Sequence, residues 1–132
     1  MFTFPGHFFG AYIFIRLLRK IRKANYSART MFWAMIVGMS VDLDVLVSTY
    51  FGILPYYHHR FIIHTPFFWF VVFTIFYVTM RMLSKKRVYL IHPFVAAIAS
   101  HLLLDSFAEG LPWAFPLDGG LYGLGLLIPN IE

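Results

Sequence analysis

The sequence predicts an all-α fold, an integral membrane bundle of about four helices with short loops and an irregular C-terminal tail, forming one domain over 1–132. Three observations predict it. The 132 residues are 60% hydrophobic, 20% aromatic and only 13% charged, whereas soluble domains run nearer half apolar and a quarter charged. Four apolar segments, 2–18, 30–54, 61–83 and 88–107, approach the ~20 residues that cross a ~30 Å hydrocarbon core. Ten of the eleven Lys and Arg residues lie in two short stretches, 16–29 and 81–87, and the eleventh is Arg60.

Each segment is justified by length and flanking charge, because apolar residues occupy every face and periodicity cannot separate a lipid-facing helix from a buried one. Segment one is the shortest and carries Pro5, Gly6 and His7, so it either spans or lies interfacially. Its cations follow the apolar run, the reverse of a secretory signal, so it is expected to be retained with its N-terminus outward. Segments two to four are long enough to cross. With alternating direction, 16–29 and 81–87 fall on one side and Arg60 on the other. The positive-inside rule makes the basic side cytoplasmic, in what is expected to be a prokaryotic plasma membrane. The tail after Glu109 is rich in Gly and Pro and reads as loop, and its apolar stretch 121–128 is too short to span. No cysteine is present, so any metal site must be built from His and carboxylate. The basic loops carry no nucleic-acid-binding motif, and specific nucleic-acid binding is not expected.

Depth counting at ~1.5 Å per helical residue places the ionisable residues. Asp42 and Asp44 lie ~20 and ~23 Å beyond Arg29, His101 and Asp105 ~21 and ~27 Å beyond Arg87, His64 ~26 Å from Arg81, and His7 ~20 Å from Lys20. Four segments thus bring acids and imidazoles into one layer in the outer half of the membrane. A buried Asp costs ~3 kcal/mol on insertion scales, so three of them need an offset. A divalent cation supplies it, since imidazole and carboxylate are its natural ligands. His101 and Asp105 are four apart and share a helical face. Asp42 and Asp44 are two apart and cannot, so the helix is expected to unwind or end near Ser40–Asp44, as irregular backbone at membrane depth is allowed only where it lines a cavity. His58 and His59 sit beside Tyr56, Tyr57 and Arg60, where an aromatic-belt role competes with ligation. His92, before Pro93 near the basic side, reads as structural.

The order of these residues resembles the LexA-binding, inner-membrane-associated metal-dependent hydrolases, the YdjM-like family. That family shows an early His, here His7. It shows Pro-Asp-x-Asp, here Val41-Asp42-Leu43-Asp44, and His-Arg-Gly-x-Thr-His-Ser, here His59-Arg60-Phe61-Ile62-Ile63-His64-Thr65. His101-x-x-x-Asp105 and a Trp-Pro region around Pro112 and Trp113 complete it. The resemblance covers nearly the whole chain and departs at Val41, Phe61 and Ile63. The family is similar to zinc-dependent phospholipase C and the single-strand-specific zinc nucleases, which implies an α-helical metal-dependent phosphoesterase.

The expected function is therefore a membrane-embedded metal-dependent hydrolase of phosphoesters, with a phospholipid as one candidate substrate. His7, Asp42, Asp44, His59, His64, His101 and Asp105 are the expected ligands of Zn²⁺, with Mn²⁺ or Mg²⁺ as substitutes. Asp44 is the candidate general base, and His59 a further candidate in catalysis. Arg60 is the candidate phosphate-neutralising group. Membrane lipids are the expected partners. The alternative from another class is a non-enzymatic metal-binding or cation- or proton-translocating protein.

Overall fold

The computed structural model describes residues 4–52, 61–108 and 110–124. They form five α-helices: α1 Phe4–Arg22, α2 Ala28–Met39, α3 Leu43–Tyr50, α4 Pro66–Leu83 and α5 His92–Ala108. Among the described residues, three 3₁₀ turns intervene, at Ser40–Asp42, Ile62–His64 and Lys85–Ile91. No β-strand is present among the described residues, and α2 and α3 are two halves of one segment. The expected four-segment helical architecture is thus observed.

The second segment does not run straight through. It breaks at Ser40–Asp42, where the Ser40 hydroxyl donates to Val37 O at 2.7 Å. That bond competes with the helical ladder and favours a local bend. Among the described residues, two helices are long and apolar enough to cross a membrane, Pro66–Leu83 and Arg87–Ala108. α1 has the length, at 19 residues, but its last two turns hold Arg16, Arg19, Lys20 and Arg22.

Local signals set the other ends. Ser27 caps α2, its hydroxyl accepting from Thr30 N at 3.1 Å. Thr65 caps α4 by accepting from Phe68 N at 3.1 Å, with Pro66 at the first helical position, where a missing N–H costs nothing. α1 ends with Lys23 at φ 51, and Ala24 N donates back to Arg19 O at 3.2 Å. Past the end of α5, Gly110 N donates back to Asp105 O at 3.0 Å, and its φ of 96 is open to glycine at little cost.

The core lies between α1, α2 and α5. His7, Ala11 and Ile15 recur every four residues on α1 and are all buried, as one face of a helix must be. Ala97, His101 and Asp105 form the matching stripe on α5. Where α2 crosses α5, a Cβ built on Gly38 would lie 3.0 Å from the Ala97 Cβ and 3.3 Å from its carbonyl oxygen. Close approach through small residues is how helices associate where lipid removes the hydrophobic drive. A second cluster joins Val41, Ile98, Leu102 and Leu111, flanked by Val37, Trp69 and Phe73. The tail is irregular as expected, yet anchored: Leu111 and Tyr122 exchange backbone hydrogen bonds at 3.0 and 2.8 Å, and Leu111 is fully buried. α4 has no buried residue and presents Phe70, Ile75 and Phe76 outward.

Candidate metal centre

Three elements converge on one point. The inward stripe of α1 delivers His7, the 3₁₀ break delivers Asp42, and the stripe of α5 delivers His101 and Asp105. The helical break is what makes this possible. Tightening to three residues per turn turns Asp42 inward and restarts the helix at Leu43, so that Asp44 is buried as well while Leu43 between them faces out.

His7, Asp42, His101 and Asp105 each offer one ligand atom, and these atoms lie within 4.8 Å of one another. His101 Nε2 lies 3.0 Å from Asp105 Oδ2 and 3.3 Å from Asp42 Oδ1. His7 Nε2 lies 3.3 Å from Asp105 Oδ1 and 3.6 Å from Asp42 Oδ2. His64 adjoins them, with Nε2 at 3.5 Å from Asp42 Oδ1 and Nδ1 at 3.1 Å from Asp44 Oδ2. All six residues are buried, the most open being Asp44 at 8% exposure.

The donor set fits a divalent cation on two counts. His101 Nε2 lies within 3.3 Å of carboxylate oxygens from two residues, Asp105 and Asp42, in a fully buried site. A single imidazole nitrogen cannot serve both carboxylates fully, whereas a shared cation can. The four N–O separations, 3.0 to 3.6 Å, also lie close to the ligand-to-ligand edge of roughly 3.3–3.6 Å that follows from tetrahedral Zn–N and Zn–O bonds of about 2.0–2.2 Å.

Proton charge alone is a poorer solution. The His7 and His101 rings stack with centroids 4.0 Å apart and 26° between planes. Two imidazolium charges at that spacing repel by about 4 kcal/mol even at an effective dielectric of 20. Two neutral imidazoles and two carboxylates carry a charge that one divalent ion cancels.

A supporting layer holds the His64 turn in place. Thr65 Oγ1 donates to Ile62 O at 2.7 Å and accepts from Phe68 N, and Trp69 Nε1 donates to Ile63 O at 2.6 Å. Sequence reasoning did not assign Thr65 or Trp69 a part in the site. The Thr65-Pro66 pair carried the usable signal, since a capping threonine before proline marks a helix start. The expected residues His59 and Arg60, and His58 beside them, lie outside the described residues. His92 starts α5, apart from the cluster, and with Thr74 and Tyr77 lines an apolar groove between α4 and α5.

The fold and site define a class: an all-helical protein with apolar helices of membrane-spanning length and a buried His–Asp cluster able to hold a metal ion. The family model described as YdjM inner membrane protein matches residues 1–131, and the chain belongs to that family. No curated protein and no solved structure gives a match to the chain.

Proposed function

We propose that this protein is a membrane-embedded, metal-dependent hydrolase of phosphoesters. The observation that carries the reading is the convergence of His7, Asp42, His101 and Asp105 within 4.8 Å. These four would hold the ion, taken as Zn²⁺, with Mn²⁺ or Mg²⁺ as substitutes, and His64, Asp44 and His59 would complete the set. When bound, such an ion lowers the pKa of water to about 7 and polarises a phosphoryl oxygen.

The chain's own groups supply the rest. Asp44 faces His64 Nδ1 at 3.1 Å, which suits it to orient that ring or to accept a proton. Arg60, adjoining the His64 turn in sequence, would neutralise a phosphate through its planar fork. His59 would act beside it. The basic loops 16–29 and 81–87 would face the cytoplasm and the site the outer leaflet, within reach of phospholipid headgroups. The family resemblance to metal-dependent hydrolases supports the same reaction class.

The test is metal analysis of purified protein, followed by chelation and add-back while hydrolysis of bis(p-nitrophenyl) phosphate and of phospholipid vesicles is followed. Bound metal and activity restored by Zn²⁺ or Mn²⁺ are expected. Protein without metal and without restored activity overturns the proposal.

One observation favours a second reading, a non-catalytic metal-binding protein: the six clustered residues are all buried, as in closed structural sites. Stoichiometric metal without hydrolysis of any phosphoester would select it. A cation path is less well supported, because the next buried polar side chain towards the basic end on α5, Ser100, spends its hydroxyl on Ala97 O at 2.8 Å.

A further inference from the structure

The opposite end of α1 carries a feature that the metal centre does not use. Arg16, Arg19 and Lys20 follow the i, i+3, i+4 spacing of one helical face, and Lys23 follows just past the helix end. With Leu17, Ala24 and Asn25 they line an open cleft of about 740 Å³. Loop residues that merely set topology need no concave arrangement.

Two of the cations are held in position. Arg19 Nη2 donates to Asn25 Oδ1 at 2.9 Å, and the Arg16 guanidinium carbon sits 5.9 Å from the centroid of the Tyr12 ring, a cation–π distance. Neither partner is an acid, so both charges stay uncompensated. No Asp or Glu precedes Asp42 in the chain, and every ion pair seen among the described residues joins a histidine to an aspartate of the metal centre. Preorganised charge of one sign with no internal counter-ion is complementary to an anion.

The surroundings choose the anion. Directly beside the cations on the same side of α1, Ile13 and Leu17 are more than half exposed, and Phe9 extends that strip one turn further, 63% exposed. A ligand with an anionic head and apolar tails matches both halves, whereas free phosphate or nucleic acid would leave the apolar strip unused.

We propose that this cleft binds the headgroup of an anionic phospholipid in the adjoining leaflet. Its phosphate contacts Arg16, Arg19 and Lys20, and its acyl chains lie along Ile13 and Leu17. The proposal is independent of the metal centre and of any reaction there.

The test uses the full chain, purified in a neutral detergent and titrated with dioleoyl phosphatidylglycerol or dioleoyl phosphatidylcholine, with bound lipid counted by native mass spectrometry. Wild type should prefer phosphatidylglycerol by at least about tenfold, given the attraction that each Lys or Arg contributes near an anionic surface. R16Q/R19Q/K20Q should lose that preference. R81Q/K85Q/R87Q, which removes the same charge from the other basic stretch, should keep it. The single variant R19Q, which leaves α1 strongly basic and its insertion intact, should weaken phosphatidylglycerol binding about threefold or more. Equal losses in the two triple variants would reduce the effect to diffuse charge and overturn the proposal. So would a wild type without preference, an R19Q variant that binds like wild type, or full displacement of the lipid by millimolar inorganic phosphate.

Discussion

Replacing Asp42 with Asn separates a metal centre from a cluster of ordinary ion pairs. Among the described residues, Asp42 is the one carboxylate near His7, His64 and His101 together, at 3.6, 3.5 and 3.3 Å from their Nε2 atoms. At a free metal concentration 100-fold above Kd, a bound ion stabilises the folded state by about 2.7 kcal/mol. For a chain of this length that corresponds to roughly 10 °C in Tm. Chelating wild-type protein in detergent should therefore lower Tm by about that amount. Asp42→Asn removes one of the two negative charges in the four-donor set and leaves a neutral amide. A 100-fold loss of affinity reduces that stabilisation to about 0.4 kcal/mol. The variant should melt near chelated wild type and respond little to chelator. Asp118→Asn, with the same charge change in the tail, should keep the full response. If the cluster is instead held by proton-charged histidines, wild type ignores chelator and Asp42→Asn costs about 3–5 kcal/mol under all conditions, as breaking a buried pair does. A wild type indifferent to chelation, or a variant with the full response, refutes the metal reasoning. Differential scanning fluorimetry with parallel metal analysis reads every case.

Three further outcomes are expected. Thr65→Ala removes the cap of α4 and the anchor of the His64 turn, and should cost about 1 kcal/mol by denaturant titration. Gly38→Ala should destabilise by about 1 kcal/mol, because backbone and Cβ of Ala97 stand where the new methyl must go, and overpacking of this kind costs about 1–3 kcal/mol; Ala97→Gly in the same chain should restore part of the loss. In the tail, the Tyr122 hydroxyl donates to the Asp118 carboxylate and holds that carboxyl below the ordinary range, with help from the Gly120 N–H. A depressed folded-state value contributes stability above the ordinary carboxylate range and loses it as pH falls through the depressed value. Tyr122→Phe should therefore move the Asp118 carbon resonance titration upward, towards ordinary carboxylates.

The arrangement was legible in the sequence where one dimension suffices. Counting residues from the cations to His7, Asp42, His101 and Asp105 placed all four in one layer, ~20 to ~27 Å deep, because rise per residue is fixed in a helix. The break near Ser40 followed from Asp42 and Asp44 being two apart. What could not be counted was azimuth and lateral neighbour. Nothing in the spacing gives Asp44 the Nδ1 of His64 as partner, since that depends on how the Ile62–His64 turn is tethered by Trp69. The apolar residues of α2 and α4 read alike, yet α2 buries Met31, Ala34 and Met35 while α4 buries none. Gly- and Pro-rich composition marked the tail as loop and hid the burial of Leu111.

The position of His101 and Asp105 on the last helix has a consequence for biosynthesis. Ribosomes add about 5–20 residues per second, so seconds separate the emergence of His64 from that of Asp105. During that interval Asp42 and Asp44 exist without the helix that packs against both α1 and α2. Until then their charge must be met by water or by protons instead of by His101. Late docking of α5 closes the donor set, so a chain stalled before residue 101 would carry only two of the four clustered residues, His7 and Asp42.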